Sequence, residues 1–380
     1  MTVRLKPLLV NAALAIVSTL VAYTLMEYAL FRVLLPEMPL GIRPHLPDVA
    51  DVLTQNSKAD YLPHDYIALL GDSYAEGLGE WLVQAKGDRA KPFHSANVIQ
   101  ELTGRDVVTF GKSGAGSAEA IVLRPARIFP ESRCSVFPAI ERPRQMFIYF
   151  YEGNDMEDNV NFLLKVRDRY GRYDADAIDR YLADVYGASY PWHCHLQLLD
   201  TAIRMAQFLY QYYLGRIDIA YCGHRAPHAN RIVAGGRTVE APPLLGPAPA
   251  LRDEHILLGM DVLARSLHWL RHRFEDVPIT VVYVPGPLSV YRLAGENASY
   301  CISYNIGSVP GAKVERNSDF MAGRVREIAA EQGVSFLDAR PALRAAASVA
   351  VIHGPIDWDH LDEAGYRVLG KLVASHVDKR

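Results

Sequence analysis

Four short stretches of this chain hold residue types that could do chemistry together. Gly71-Asp72-Ser73 follows the apolar run Tyr66–Leu70. A serine at the carboxyl end of a strand, just before a helix, offers its hydroxyl to a cleft as a nucleophile and its own N–H to an oxyanion. Near the other end of the chain, Asp357-Trp358-Asp359-His360 sets an aspartate three residues before a histidine. In one tight turn Asp357 can bond the imidazole Nδ1 while Nε2 faces the cleft. That bond fixes the tautomer and stabilises the imidazolium formed when a serine loses its proton. Asn154, in Glu152-Gly153-Asn154-Asp155, carries a neutral amide that stays a donor at every relevant pH, which suits a developing oxyanion. The loop Gly111-Lys112-Ser113-Gly114-Ala115-Gly116 has three glycines, so its main-chain N–H groups can come close to a ligand. Taken singly, each stretch also reads as ordinary punctuation: a capped turn, a strand-to-helix loop, an Asx turn, an acidic loop. Asp72 and Asp155 are expected to brace their loops by accepting backbone N–H bonds, and Asp359 to point away from the imidazole beside it.

The elements that must position these residues alternate along the chain. Short apolar runs predict strands at Tyr66–Leu70, Asp106–Phe110, Gln145–Tyr151, Ile279–Val284 and Val334–Leu337. Helical patterns are expected at Ser95–Leu102, Ser117–Arg124, Ile256–Phe274, Asp319–Glu331 and Glu363–Val377. This alternation predicts an α/β fold, a parallel sheet with helices on both faces, and the continuous apolar character of most strands fits burial on both sides. The regularity breaks over about 157–250, read as a helical, Tyr-rich insertion ending in a Pro-rich stretch. Its tyrosines, among them Tyr210, Tyr212 and Tyr213, are expected to pack the insertion onto the domain.

The N-terminus departs from a soluble chain. Leu8 to Met26 is nineteen residues without a formal charge, preceded by Arg4 and Lys6. That length reaches across a hydrocarbon core, so residues 1–35 are expected to form a single-pass anchor with the N-terminus cytoplasmic and the rest of the chain periplasmic or extracellular, a cleaved signal peptide and a buried helix being the alternatives. Residues 36–64, with five prolines, are expected to be a linker, and residues 65–380 the domain. With a net charge of −3 and no long basic run, nucleic acid is not an expected partner. The four cysteines allow one or two disulfides whose pairing sequence cannot fix. His193, Cys194, His195, Cys222, His224 and His228 are of metal-ligand type but lack a zinc spacing, and neither metal nor cofactor is expected.

The four stretches, in this order, resemble the four blocks of the SGNH/GDSL hydrolase family: GDS, KSGAGS, EGND and DWDH. Tyr74 stands where the longer GDSL form has leucine. The resemblance covers roughly residues 64–156 and 278–378 and implies a three-layer α/β/α, flavodoxin-like domain with a five-stranded parallel sheet. It implies Ser73 as nucleophile, His360 as base, Asp357 as its orienter, and Ser73, Gly114 and Asn154 as oxyanion donors. The expected activity is hydrolysis of carboxylic esters, O-acyl or O-acetyl, on a glycan or lipid of the cell envelope. Transfer of the acyl group to a polysaccharide beside a membrane acyltransferase would use the same acyl-enzyme, and a non-catalytic carbohydrate-binding or assembly role is the third alternative.

Overall fold

The structure, a computed structural model, describes residues 5–80, 94–134, 140–186, 197–214, 229–302 and 305–378. In chain order its strands are β1 (Ile67–Gly71), β2 (Val107–Thr109), β3 (Gln145–Tyr151), β4 (Asn230–Ala234), β5 (Arg237–Ala241), β6 (Ile279–Val284), β7 (Arg292–Leu293), β8 (Asn297–Ile302), β9 (Asn305–Pro310) and β10 (Ser335–Asp338). Five of them form one sheet in the order β10-β6-β3-β1-β2, every pair parallel. The chain goes from β1 to the edge strand β2, then returns past β1 to β3. The carboxyl ends of β1 and β3 therefore flank the switch point where open sheets of this order bind ligands.

The side chains explain the layers. β1, β3 and β6 are buried along their whole length. Alternate residues go to opposite faces. Ala68, Leu70, Met146, Ile148, Phe150 and Val281 enter a core with the helices Asp253–Arg273 and Gly311–Glu331. Ile67, Leu69, Phe147, Tyr149, Tyr151 and Val282 enter a second core with the helices Ser95–Thr103, Arg340–Val349 and Glu363–Ala374. The result is the expected three-layer α/β/α arrangement.

Several segments differ from expectation. The expected helix Ser117–Arg124 is a wide turn, Ala118–Leu123, that runs into a regular helix, Arg124–Glu131. The insertion is helical as expected, with Ala175–Tyr181 and Gln197–Tyr213, but a further helix, Asp155–Tyr170, precedes these and starts ahead of residue 157. Tyr210 and Tyr213 on the helix Gln197–Tyr213 are largely exposed, so they do not pack as expected. β4 and β5 form a hairpin there, joined by Gly235-Gly236, both with positive φ. Two glycines between two strands are the tight-hairpin signal, which the prolines after Ala241 obscured. The histidines and cysteines at 193–195, 222, 224 and 228 lie outside the described residues. Cys134 and Cys301 are disulfide-bonded, and no described cysteine is free.

Residues 36–64, expected as a linker, are instead packed. Leu40, Ile42, Leu46, Val49, Val52 and Leu53 are buried, the last five in the core under one face of the sheet. Proline frequency misled because these prolines start short helical turns around an apolar pattern rather than keeping the chain extended. The Gln55 side-chain amide bonds both the C=O and the N–H of Thr109, each at 2.8 Å. Ser57 pairs in the same way with Val107, through its backbone C=O at 2.8 Å and its hydroxyl at 2.6 Å. Ahead of this segment the N-terminal helix Leu5–Glu27 exposes its apolar side chains, from Leu8 to Met26. It is long and apolar enough to cross a membrane. It continues without a loop into Tyr28–Leu34, where Leu30 and Phe31 are already buried in the domain.

Candidate active site

Ser73 is the first residue of the four-residue helix Ser73–Glu76, which starts directly after β1 and Asp72. Its N–H therefore has no acceptor within the helix. Asp72 caps the helix by accepting Tyr74 N–H at 2.9 Å, and its other oxygen accepts the Ser73 hydroxyl at 3.1 Å. No bond from that hydroxyl to His360 accompanies it among the described residues. Ser73 is buried, 6% exposed, and His360 is 7% exposed.

The glycine loop lies against this helix. Lys112 N–H donates to Gly71 C=O at 3.1 Å, and Ala115 N–H closes a turn on Lys112 C=O at 3.1 Å. Ser113 N–H donates to the buried Glu76 carboxylate at 2.6 Å. A Cβ on Gly111 would lie 2.2 Å from Glu76 N, so only glycine lets the loop come this close. Gly114 has φ +70°, is exposed, and has open space where a side chain would be. Gly116, its neighbour in the motif, is packed: a Cβ there would meet Asp158 Cβ at 2.9 Å.

Asn154 ends the β3 loop and occupies the N-cap position of the helix Asp155–Tyr170, without a side-chain capping bond. Its amide donates to Asp158 at 2.8 Å, while its carbonyl oxygen is buried with no partner among the described residues. Asp155 braces the loop by accepting Tyr151 N–H at 2.9 Å. Asn159 bonds both Ser117 N–H, at 2.7 Å, and the Ser117 hydroxyl, at 3.0 Å. The first turn of this helix thus joins the glycine loop to the Asn154 loop.

The histidine loop is built on Asp357, which is fully buried. One of its oxygens accepts Asp359 N–H at 3.0 Å and His360 N–H at 3.2 Å; the other is 2.7 Å from His360 Nδ1. Glu80 accepts the N–H groups of Ile356 and Asp357, the second at 3.0 Å. The Asp359 carbonyl accepts two tyrosine hydroxyls, Tyr74 at 3.0 Å and Tyr151 at 3.1 Å, whose rings stack 4.0 Å apart. Tyr74 follows Ser73, Tyr151 ends β3, and Asp359 precedes His360. The clamp therefore ties the ends of β1 and β3 to the histidine loop, and the Tyr74 ring lies 5.5 Å from the imidazole.

The electrostatics are uneven. Burial disfavours a charge on His360, but the Asp357 charge and hydrogen bond, helped by Asp359 and Asp72, outweigh it and raise the imidazole to about 9. Burial raises Asp72 to about 6, against the Tyr74 N–H bond and the His360 charge. Asp359 is raised to about 7 by burial and then by Asp357. Burial also lifts Asp158 to about 7, against the Asn154 bond. The carboxylates of Asp357, Asp359 and Asp72 thus favour the cationic form of the imidazole.

The five expected residues lie at a helix start (Ser73) and on three loops, and hydrogen bonds tie these segments together. Asp357 and His360 bond directly; Ser73, Gly114 and Asn154 are linked through the residues beside them. Sequence reasoning missed Glu76, Glu80, Tyr74 and Tyr151. A signal existed for the two tyrosines: each puts a hydroxyl beside a motif residue in an otherwise apolar, buried stretch.

No family model and no curated protein matches this chain. Among solved structures it is similar to a phospholipase A1 from Streptomyces albidoflavus, at 14% identity over 82% of this chain and 97% of that one, TM-score 0.36. An extracellular lipase from Streptomyces rimosus gives 14% identity over 82% and 99%, TM-score 0.38. An acetyl-xylooligosaccharide esterase variant from a Geobacillus species gives 12% over 84% and 99%, TM-score 0.34. Likeness at this level assigns neither activity nor substrate.

Proposed function

We propose that this chain is a serine esterase tethered outside the cytoplasm by its N-terminal helix. The observation that carries the reading is the short bond between His360 Nδ1 and the buried Asp357, in a loop clamped to the residue after Ser73. With Nδ1 so held, Nε2 is the basic nitrogen. The Ser73 hydroxyl turns from Asp72 to Nε2, gives up its proton there and attacks the ester carbonyl. The oxyanion is held by the N–H groups of Ser73 and Gly114 and the Asn154 amide. The imidazolium protonates the leaving alcohol, and an acyl-Ser73 ester remains. Water, deprotonated by the same nitrogen, releases the acid and restores the hydroxyl.

Cys134 and Cys301, each disulfide-bonded, support an oxidising compartment, and Arg4 and Lys6 ahead of the uncharged run Leu8–Met26 support a cytoplasmic N-terminus. Envelope O-acyl esters, on glycan or lipid, are the substrates within reach from there. The test uses the full-length chain in detergent with p-nitrophenyl acetate and a fluorophosphonate probe. Turnover and labelling, both lost in Ser73→Ala, are expected; a folded wild-type protein that the probe leaves unlabelled would instead indicate a binding role. A sugar alcohol included in the assay separates transfer from hydrolysis, since an acetylated sugar would identify a transferase.

A further inference from the structure

The packed segment after the N-terminal helix reaches the glycine loop through a buried ionic chain. Arg43 donates to Asp51 at 2.9 Å and to the Glu76 carbonyl at 3.1 Å. Arg124 bonds the carbonyls of Phe110, at 2.8 Å, and Gly111, at 3.2 Å, and pairs with Asp48 and, at 3.6 Å, with Asp51. Lys112 donates to the Pro44 carbonyl at 2.7 Å and lies 3.9 Å from Glu76. Glu76 in turn accepts Ser113 N–H at 2.6 Å, the amide just before that of Gly114. Three cations and three carboxylates balance one another. They converge on both ends of the same feature: the helix that begins with Ser73 and the loop that carries Gly114.

An amide that must meet a developing oxyanion is useful only if its direction is fixed beforehand. Gly114 is exposed, has φ +70° and lies within the turn that Ala115 N–H closes on Lys112 C=O, so its direction follows from how that turn is anchored. One anchor is Lys112 N–H on Gly71 C=O, and the other, on the peptide just before that of Gly114, is Glu76. Glu76 sits on the Ser73 helix, so one carboxylate sets the spacing between the two main-chain donors.

We propose that Glu76 is a positioning residue for the oxyanion donors, held in place by Arg43 and Lys112, so that residues 43–51 belong to the catalytic apparatus and do not merely tether it. The proposal rests on the esterase reading above. Its test compares Glu76→Ala, Glu76→Gln and Lys112→Met in the full-length, detergent-solubilised chain, with p-nitrophenyl acetate as substrate and circular dichroism as the check of folding. Glutamine keeps an acceptor for Ser113 N–H and alanine does not. Loss of donor alignment is expected to lower kcat by about 30-fold or more in Glu76→Ala, with KM changed less than about threefold, and glutamine is expected to recover most of the loss. Lys112→Met, at a partly exposed position, is expected to lower kcat by about fivefold with the same KM pattern. Folded Glu76→Ala with wild-type kcat overturns the proposal and leaves the esterase reading intact. If Glu76→Ala does not fold, wild-type kcat in Lys112→Met overturns it. A wild-type chain with neither turnover nor fluorophosphonate labelling removes the esterase reading, and the proposal with it.

Discussion

Replacing Asp357 by asparagine tests the candidate site at its most buried point. The side chain keeps its shape, and its oxygen can still accept Asp359 N–H and His360 N–H. What changes is the atom facing His360 Nδ1, 2.7 Å away, where an amide N–H₂ replaces a carboxylate oxygen. Nδ1 must then accept, the proton moves to Nε2, and the nitrogen meant for Ser73 is no longer basic. The wrong tautomer in this kind of triad lowers kcat by about 10⁴. The imidazole, now raised from 6.5 to about 9, favours its cation by on the order of 3 kcal/mol against the cost of burial. Removing the nearest opposite charge is expected to lower it by roughly 1 to 3 pH units. In the wild type the neutral base accumulates only as pH rises through about 9, so kcat/KM is expected to climb to a plateau above that pH. The linked stability has the opposite slope. A group with a raised folded-state pKa stabilises fully below its unfolded value near 6.5, and that contribution is lost as pH rises through about 9. Thermal unfolding of the wild type is therefore expected to fall between pH 7 and 10, and Asp357→Asn to flatten that fall. The assay is pH-stat titration of a methyl ester, which avoids the background hydrolysis of aryl esters at high pH, alongside melting curves. A wild-type midpoint near 6.5, or an Asp357→Asn protein with unchanged turnover and midpoint, would refute the reasoning.

Other substitutions probe the supports. Asn154→Ala is expected to lower kcat by about 100- to 1,000-fold while KM moves little, read from steady-state rates at saturating ester. Tyr74→Phe and Tyr151→Phe each remove one hydroxyl from the Asp359 carbonyl, at about 0.5–1.5 kcal/mol apiece; the double variant leaves a buried carbonyl unbonded and is expected to lose more than the two single losses together, measured by denaturant unfolding. Gly111→Ala forces a methyl group against Glu76 N and is expected to cost about 1–3 kcal/mol or more, together with part of the activity, visible as a lowered Tm.

The parts legible in the sequence were those written in local pattern. Gln145–Tyr151 and Ile279–Val284 have the bounds their apolar runs indicated, because strands buried on both faces need unbroken hydrophobic residues. Asp357 and His360 were legible as a pair because four consecutive residues of one turn contain the whole interaction. The supports were not legible because their partners are far apart in the chain: Arg43 and Glu76 are 33 residues apart, Glu80 and Asp357 are 277 apart, and Tyr74 and Asp359 are 285 apart. Nothing near Glu80 in the sequence marks it as the acceptor for a loop at the far end. Residues 36–64 misled for a related reason. Their prolines are a local signal of irregular backbone, whereas their burial depends on a sheet that forms from later residues.

The bonds of Gln55 and Ser57 bear on how the molecule behaves among its own copies. β2 is an outermost strand, and its outward N–H and C=O groups would otherwise invite another chain to add a strand. Those of Val107 and Thr109 are taken up from within, by two side chains and one carbonyl that imitate a neighbouring strand without extending the ladder. A fragment trimmed to begin at the first strand would uncover that seam and would be prone to self-association before any question of catalysis arose.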